Sequence, residues 1–541
     1  MCFEVKNKDL LGRIGKIKTK SGVIETPLLL PVINPKKIEI QPKEIFDEFK
    51  FKALMTNAYI LKKYFETDVI KSGIHNFLGF SGVIMTDSGG YQILRYGYVD
   101  VKPLEIFDFQ EKIGSDIGVI LDVPTGWGVS KNYAEWTVNE TLKRAREIQN
   151  YLKNKHITLW VGPIQGGNYL DLISFSAREL SKIPFDIYAI GSPTEVMERY
   201  FFDFLVKMIL TAKLNLPPNK PLHLFGAGHP FMFSFAVALG CDMFDSASYA
   251  LYAKDERYLT ETGTIRLKNL EYFPCDCPVC RNLTPKDLKE KEKSERTYLL
   301  MRHNLYVCWS EIQRIKQHII DGKLWELLEL RARAHPSLFK AFSLIAKFSK
   351  LFLKDTPLFK ERGVFIFDNI SVKRPEIISY REKLVENYGK PEEAEILLLL
   401  PPPSTKPFHK SREFKLICKF LEDADFNLKD FHICFYTAPF GVVPLEIDDV
   451  YPLSQFEVGK PFKGEVKIEV AKSIIRYIEG KPYKLIVIYR DPKLLSDRLL
   501  SRIIKEKRGL VSIDVIKKPY SKDSFNHFIE GLKNIVSREF T

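Results

Sequence analysis

Three aspartates, Asp87, Asp122 and Asp245, each close a short apolar run: VIMTD, VILD and DMFD. A carboxylate held at the end of such a run is partly desolvated, so its basicity and nucleophilicity can be tuned. Taken singly, each reads more simply as a helix N-cap or turn former. Taken together they suit a reaction in which positive charge develops at carbon. An anomeric centre losing its leaving group becomes oxocarbenium-like, and a pair of carboxylates can serve as nucleophile and acid/base in a double displacement. A metal-dependent hydrolase is the rival chemistry. It would need histidines at strand ends, often as His-x-His; the 10 histidines include no such pair, and His223 with His229 cannot build a two-metal site.

A second constellation is CDCPVC at 275–280, followed by His303 in a helical stretch. Cys275, Cys277, Cys280 and His303 would form a closed tetrahedral shell of three thiolates and one imidazole, which suits one structural Zn2+ and leaves no open position for a reacting water. Eight cysteines in 541 residues are too few and too unevenly placed for a disulfide framework, so the crowding of three points to metal.

The elements that must position these residues follow a βαβ rhythm from residue 27 to about 250. Strands are predicted at 26–32, 52–58, 82–90, 117–126, 157–167, 186–194, 221–230 and 242–250. Eight units match a closed parallel barrel, although open doubly wound sheets share the rhythm. What favours the barrel is the polar residues at successive strand ends: Asn57, Asp87 with Ser88, Asp122, Gln165 with Gly166 and Gly167, Gly191 with Ser192, Gly228 with His229, and Asp245. Barrel enzymes assemble their sites on that edge. The expected fold is therefore an α/β protein, a (β/α)8 TIM barrel with a zinc-binding extension and a smaller C-terminal α/β domain.

Downstream, 294–348 carries apolar residues at helical spacing, and 373–394 reads as a charged helical connector. Further strands are predicted at 395–404, 432–438 and 483–490, with helices near 411–423 and 526–540. The expected domains are 1–350, the barrel with its zinc site and packing helices; 351–394, the connector; and 395–541, the C-terminal α/β domain. The glycine clusters DSGGYQ and IQGGNY have neither phosphate-loop nor dinucleotide spacing.

Composition agrees with a folded globular chain, 45% hydrophobic and 28% charged, with no apolar run long enough to span a membrane and no secretory signal; the reading is cytoplasmic. A formal net charge of +13 favours polyanionic partners such as nucleic acid, although a heat-adapted protein can be basic for other reasons.

GIHNFLGFSGVIMTDSGGYQ (73–92), GSDIGVILDVPTG (114–126), QGG (165–167), YAIGSP (188–193), HLFGAGHP (223–230), GCDMFDSASYALYA (240–253) and CDCPVC strongly resemble archaeal tRNA-guanine transglycosylases. The likeness spans about residues 1–350, with motifs in order. It implies exchange of guanine 15 in the tRNA D-loop for 7-cyano-7-deazaguanine, the archaeosine precursor. By that resemblance Asp245 is the nucleophile and Asp87 the general acid/base, with the reverse assignment left open. Ser88, Asp122, Gln165, Gly166 and Gly191 are implied to bind the base, and Tyr91 to stack on it. The implied partners are tRNA, guanine and 7-cyano-7-deazaguanine, with no membrane, a homodimer through the zinc-bearing region, and a separate PUA-domain protein, since no PUA domain is legible before Thr541. Segments 401–414 and 440–457 resemble the central domain of archaeosine synthase. Proline stands near 402 where that relative has a cysteine, which counts against synthase activity. The alternatives are a synthase-like enzyme on the same tRNA position and a non-catalytic tRNA-binding subunit.

Overall fold

The computed structural model describes residues 3–90, 92–93, 100–154, 157–357, 359–424, 426–459, 464–506 and 509–540. The chain divides into two compact units, Met1–Ile345 and Ala346–Thr541.

The first unit begins with a small antiparallel sheet of β1 (Phe3–Asp9), β2 (Gly12–Lys18) and β3 (Val23–Thr26). The chain then enters a closed barrel: β4 (Leu28–Ile33), β5 (Ala53–Asn57), β6 (Val83–Asp87), β7 (Ile117–Val119), β8 (Leu159–Ile164), β9 (Ile187–Ile190), β10 (Leu222–Leu224) and β11 (Met243–Ser246). Every neighbouring pair in it is parallel. All eight segments read as barrel strands in the sequence match barrel strands, each shorter than expected: in seven the residues that follow belong to the loops or the next helix, whereas β4 starts two residues late and runs on to Ile33.

Alternate positions fill the interior. Leu28, Leu30, Ala53, Met55, Val83, Met85, Ile117, Val119, Leu159, Val161, Ile187, Ala189 and Met243 form one buried cluster. Phe3, Ile17 and Ile24 of β1 to β3 belong to the same cluster, so this sheet stoppers the end of the barrel from which the strands set out. An interior filled by side chains is a rigid plug, and the opposite rim is where chemistry can be mounted. The hairpin β12 (Arg257–Thr260) and β13 (Gly263–Arg266) precedes the cysteine cluster, and the helix Lys293–Ile320 carries His303.

The second unit contains β14 (Val364–Ile366), β15 (Ile396–Leu400), β16 (Phe431–Thr437), β17 (Gly441–Pro444), β18 (Phe456–Val458), β19 (Leu485–Arg490) and β20 (Leu510–Asp514). Five of these form a sheet in the order β17-β16-β15-β19-β20, parallel except for β17, and β14 pairs with β18. The run Ile396–Leu400 is fully buried, as expected of a central strand covered on both faces. The helix Pro375–Asn387, in the stretch read as a connector, lies within this unit. Among the described residues, no helix is long and apolar enough to cross a membrane.

Candidate active site

Strand alternation delivers the polar residues to the barrel mouth. In β6, Val83 and Met85 point inward, so Asp87 is the next inward position; in β11, Met243 is followed by Asp245 in the same sense. The same count of two sends Asn57 inward after Ala53 and Met55, Gln165 after Leu159 and Val161, and Gly191 after Ile187 and Ala189. Five strands thus each place one polar or small residue on a single rim.

Asp87 lies at the centre of this rim electrostatically. Burial, then the neighbouring Asp122 carboxylate and, more weakly, Asp245, push its carboxyl up to about 7, against the hydrogen bonds from Gly89 and Asn57. The charges of all three aspartates therefore meet in one place. Asn57 orients the group: its Nδ2 donates to Asp87 Oδ2 at 2.8 Å and to Gln92 Oε1 at 3.0 Å, while its Oδ1 caps the following helix at the Ile60 amide. Ser88 is fully buried, and its hydroxyl donates to the Ile120 carbonyl at 3.0 Å.

Asp122 lies three residues beyond β7, on the loop rather than on the strand period. Burial raises its carboxyl to about 6, opposed by the amide of Gln165 and the charge of Arg144. Gln165 is held on every side. Its Nε2 donates to Asp122 Oδ2, and its Oε1 accepts from the Thr125 amide at 2.9 Å and from Ser192 Oγ at 3.2 Å. Two glycines make this approach possible. A Cβ on Gly191 would stand 2.2 Å from Gln165 Nε2, and one on Gly90 would stand 2.3 Å from Asp122 Oδ1. Gly166 turns the chain from β8 toward the helix Leu170–Leu180, its backbone packed against Ile173.

Asp245 is 8% exposed, and one of its oxygens is doubly engaged: Oδ1 accepts from His223 Nε2 at 2.8 Å and from the Gly226 amide at 3.0 Å. His223, considered in the sequence only as a metal ligand, lies on β10 beside this carboxylate. His229 instead caps the helix Pro230–Ala238 through its ring nitrogen.

The ligand atoms of Cys275, Cys277, Cys280 and His303 lie within 4.8 Å of one another. His303 Nε2 donates to the Leu259 carbonyl at 2.9 Å, which fixes the tautomer and leaves Nδ1 facing Cys277 and Cys280 at 3.5 Å each. The Tyr258 ring stacks on His303 at 3.6 Å, and its hydroxyl meets Cys280 Sγ at 3.2 Å. Donor set, tautomer and outer partners all fit a metal held in a closed shell.

Of the residues singled out in the sequence, Asp87, Asp122, Gln165, Gly191 and Asp245 come together at the rim, and the four metal-ligand candidates come together apart from it. Tyr91 lies outside the described residues. Sequence reasoning missed Asn57 as an orienting group, Gly90 as the floor under Asp122, and His223. Asn57 carried a signal, since it falls on the same inward period as Asp87; Gly90 and His223 act only through neighbours distant in sequence.

A family model described as queuine tRNA-ribosyltransferase matches residues 8–337, and a domain model of unknown function matches 377–532. Among curated proteins, the chain is 43% identical over 477 residues to a tRNA-guanine(15) transglycosylase of Methanocaldococcus jannaschii, covering 86% of this chain and 70% of that one. It is 40% identical to the protein of that name from Sulfolobus acidocaldarius, covering 91% and 96% of the two chains, and 43% identical to that from Saccharolobus solfataricus, covering 91% and 97%.

Proposed function

The chain belongs to the queuine tRNA-ribosyltransferase family, and on that premise we propose that it is a tRNA-guanine(15) transglycosylase that exchanges guanine for 7-cyano-7-deazaguanine in the tRNA D-loop. The target nucleotide must leave its stack to reach the barrel mouth. Asp245 Oδ2 forms a bond to the ribose C1′ as the C1′–N9 bond breaks. The electron pair departs with the guanine, which takes a proton from Asp87. The incoming base then gives its N9 proton to Asp87 and attacks C1′, and the C1′–Oδ2 electron pair returns to the Asp245 carboxylate. A carboxyl raised to about 7 suits both halves, because it holds a proton for the first base and accepts one from the second near neutral pH. That raised carboxyl, on the same rim as Asp245, is the observation that carries the reading.

Base recognition falls to Asp122 and Gln165. A guanine-like edge presents ring N–H and exocyclic amine donors, which a carboxylate accepts. Gln165 cannot swing away, since its amide is bonded at both ends. Cys275, Cys277, Cys280 and His303 would hold one zinc ion, which supplies a structural crosslink and takes no part in the exchange. The net charge of +13 supports tRNA as the macromolecular partner.

Two measurements test the proposal: exchange of labelled guanine into tRNA by the purified protein, and mass spectrometry of tRNA nucleosides after incubation with 7-cyano-7-deazaguanine. Both should report base exchange. Absence of exchange in both would sink the proposal and leave a synthase-like enzyme or a tRNA-binding subunit.

A further inference from the structure

His223 is an imidazole in a layer of the barrel that is otherwise apolar. It is the middle residue of β10, in register with Ala189 on one side and Met243 on the other, and it is fully buried. Its Nδ1 has no hydrogen-bond partner among the described residues, although Phe225 packs on the ring at 4.8 Å. A buried ring nitrogen without a partner carries a desolvation cost that an aliphatic side chain would avoid. The compensation is on the other edge of the ring, where Nε2 donates to Asp245 Oδ1 at 2.8 Å. The Gly226 amide donates to the same oxygen at 3.0 Å, and no hydrogen bond reaches Oδ2 among the described residues.

We infer that His223 is a positioning residue that selects which oxygen of Asp245 attacks and then stabilises the carboxylate as it leaves. The inference rests on the reading of Asp245 as nucleophile. Two donors on Oδ1 fix the side-chain torsions and turn Oδ2 toward the barrel mouth. When Oδ2 bonds to C1′ and the guanine departs with the C1′–N9 electron pair and the Asp87 proton, Oδ1 becomes the ester carbonyl oxygen, with both N–H groups still on it. When the incoming base attacks, the C1′–Oδ2 pair returns to the carboxylate, and the charge that grows on Oδ1 meets donors already in place. In this second half the preorganised donors act on the transition state and not on tRNA binding.

The test compares the full-length protein with His223→Phe, His223→Gln and Asp245→Asn, reading kcat and KM for tRNA and the covalent protein–tRNA adduct trapped by denaturation. Loss of one preorganised donor should lower kcat by about 10²-fold in His223→Phe, with KM for tRNA changed by less than about threefold. Gln can present its amide N–H where Nε2 stood, so His223→Gln should recover kcat to within about tenfold of the unmutated protein. A His223→Phe variant with undiminished kcat, or a His223→Gln variant no better than Phe, overturns the inference. If Phe prevents folding, as read by thermal melting, His223→Gln alone decides, and a loss well beyond tenfold counts against it. Asp245→Asn separates the two claims: exchange and adduct surviving in that variant defeat the nucleophile reading itself, whereas their loss together with an indifferent His223→Phe defeats only the role of His223.

Discussion

The barrel mouth and the Cys3His cluster both gather ionisable groups out of water, and they manage the electrostatic cost in opposite ways. At the cluster, four donor atoms converge on one point, and the outer groups Leu259 and Tyr258 hold the ligands from behind. At the mouth, like charges are set near one another with no cation among the partners that shift Asp87. One oxygen of Asp245 is engaged, and among the described residues no hydrogen bond reaches the other. The difference is between a donor set that a metal ion would close, which would stabilise the fold, and valences left unsatisfied, which store reactivity at the expense of stability.

The sharpest way to break this contrast is to remove an open valence. Asp245→Ala should reduce exchange by roughly 10⁴-fold or more, as expected for loss of a nucleophile, while the melting temperature falls only modestly, by the loss of the His223 and Gly226 hydrogen bonds. Labelled-guanine exchange beside a thermal melt measures both, and persistent exchange would reassign the nucleophile.

Asp87→Asn should lower kcat by about 10²- to 10⁴-fold, the usual contribution of a general acid/base. It should also raise stability above neutral pH. The Asp87 carboxyl stands at about 7 in the folded chain against an ordinary 3.8, so the folded state holds the proton more tightly. That stabilisation is fully present below the ordinary value and is lost as pH rises through about 7, after which a buried carboxylate opposes the fold. Asparagine removes this opposition, so melts at pH 8 should shift upward, by about 1–2 °C for each kcal/mol relieved in a unit of this size. A downward shift would show that the mouth is not electrostatically crowded. In the unmutated protein, exchange should peak near pH 7 and fall on both sides, as the proposed alternation of Asp87 between acid and base requires.

At the cluster the signs reverse. Cys277→Ser, or chelation, should lower stability by several kcal/mol, within the range of a structural metal's contribution to folding. Turnover should fall only with the folded fraction. Unchanged melting with a selective loss of turnover would place the cluster in the chemistry and erase the contrast.

The smallest effect is expected at Gly191→Ala. The added methyl would stand 2.2 Å from Gln165 Nε2, so the amide must shift and Asp122 lose a partner. The expected result is roughly a tenfold rise in KM for the incoming base, about 1.4 kcal/mol, with a lesser change in kcat. Unaltered KM would mean that the Gln165–Asp122 pair does not meet the base.

Much of the rim was legible before any coordinates. Period-two alternation carries Asn57, Asp87, Gln165, Gly191 and Asp245 to one edge, and that count needs only a strand and its phase. Asp122 escapes it, because β7 ends at Val119 and the loop path beyond is set by contacts with Gly90 and Gln165. Ser88 illustrates the reverse: the family resemblance marked it as a base-binding position, and its hydroxyl is committed to the Ile120 carbonyl. The stopper sheet of β1 to β3 was not anticipated, since its charged, half-exposed first strand has no clean apolar alternation.

By itself, the sequence determined the eight strand segments, the phase of their alternation, the carboxylates at their ends and the Cys3His set, because these depend on local periodicity and spacing along the chain. Only the tertiary structure decided that His223 holds one oxygen of Asp245 and that Asp87 feels the charges of Asp122 and Asp245. Those relations join residues on different strands. Their strength depends on distance and burial, which emerge only when the barrel closes and excludes water.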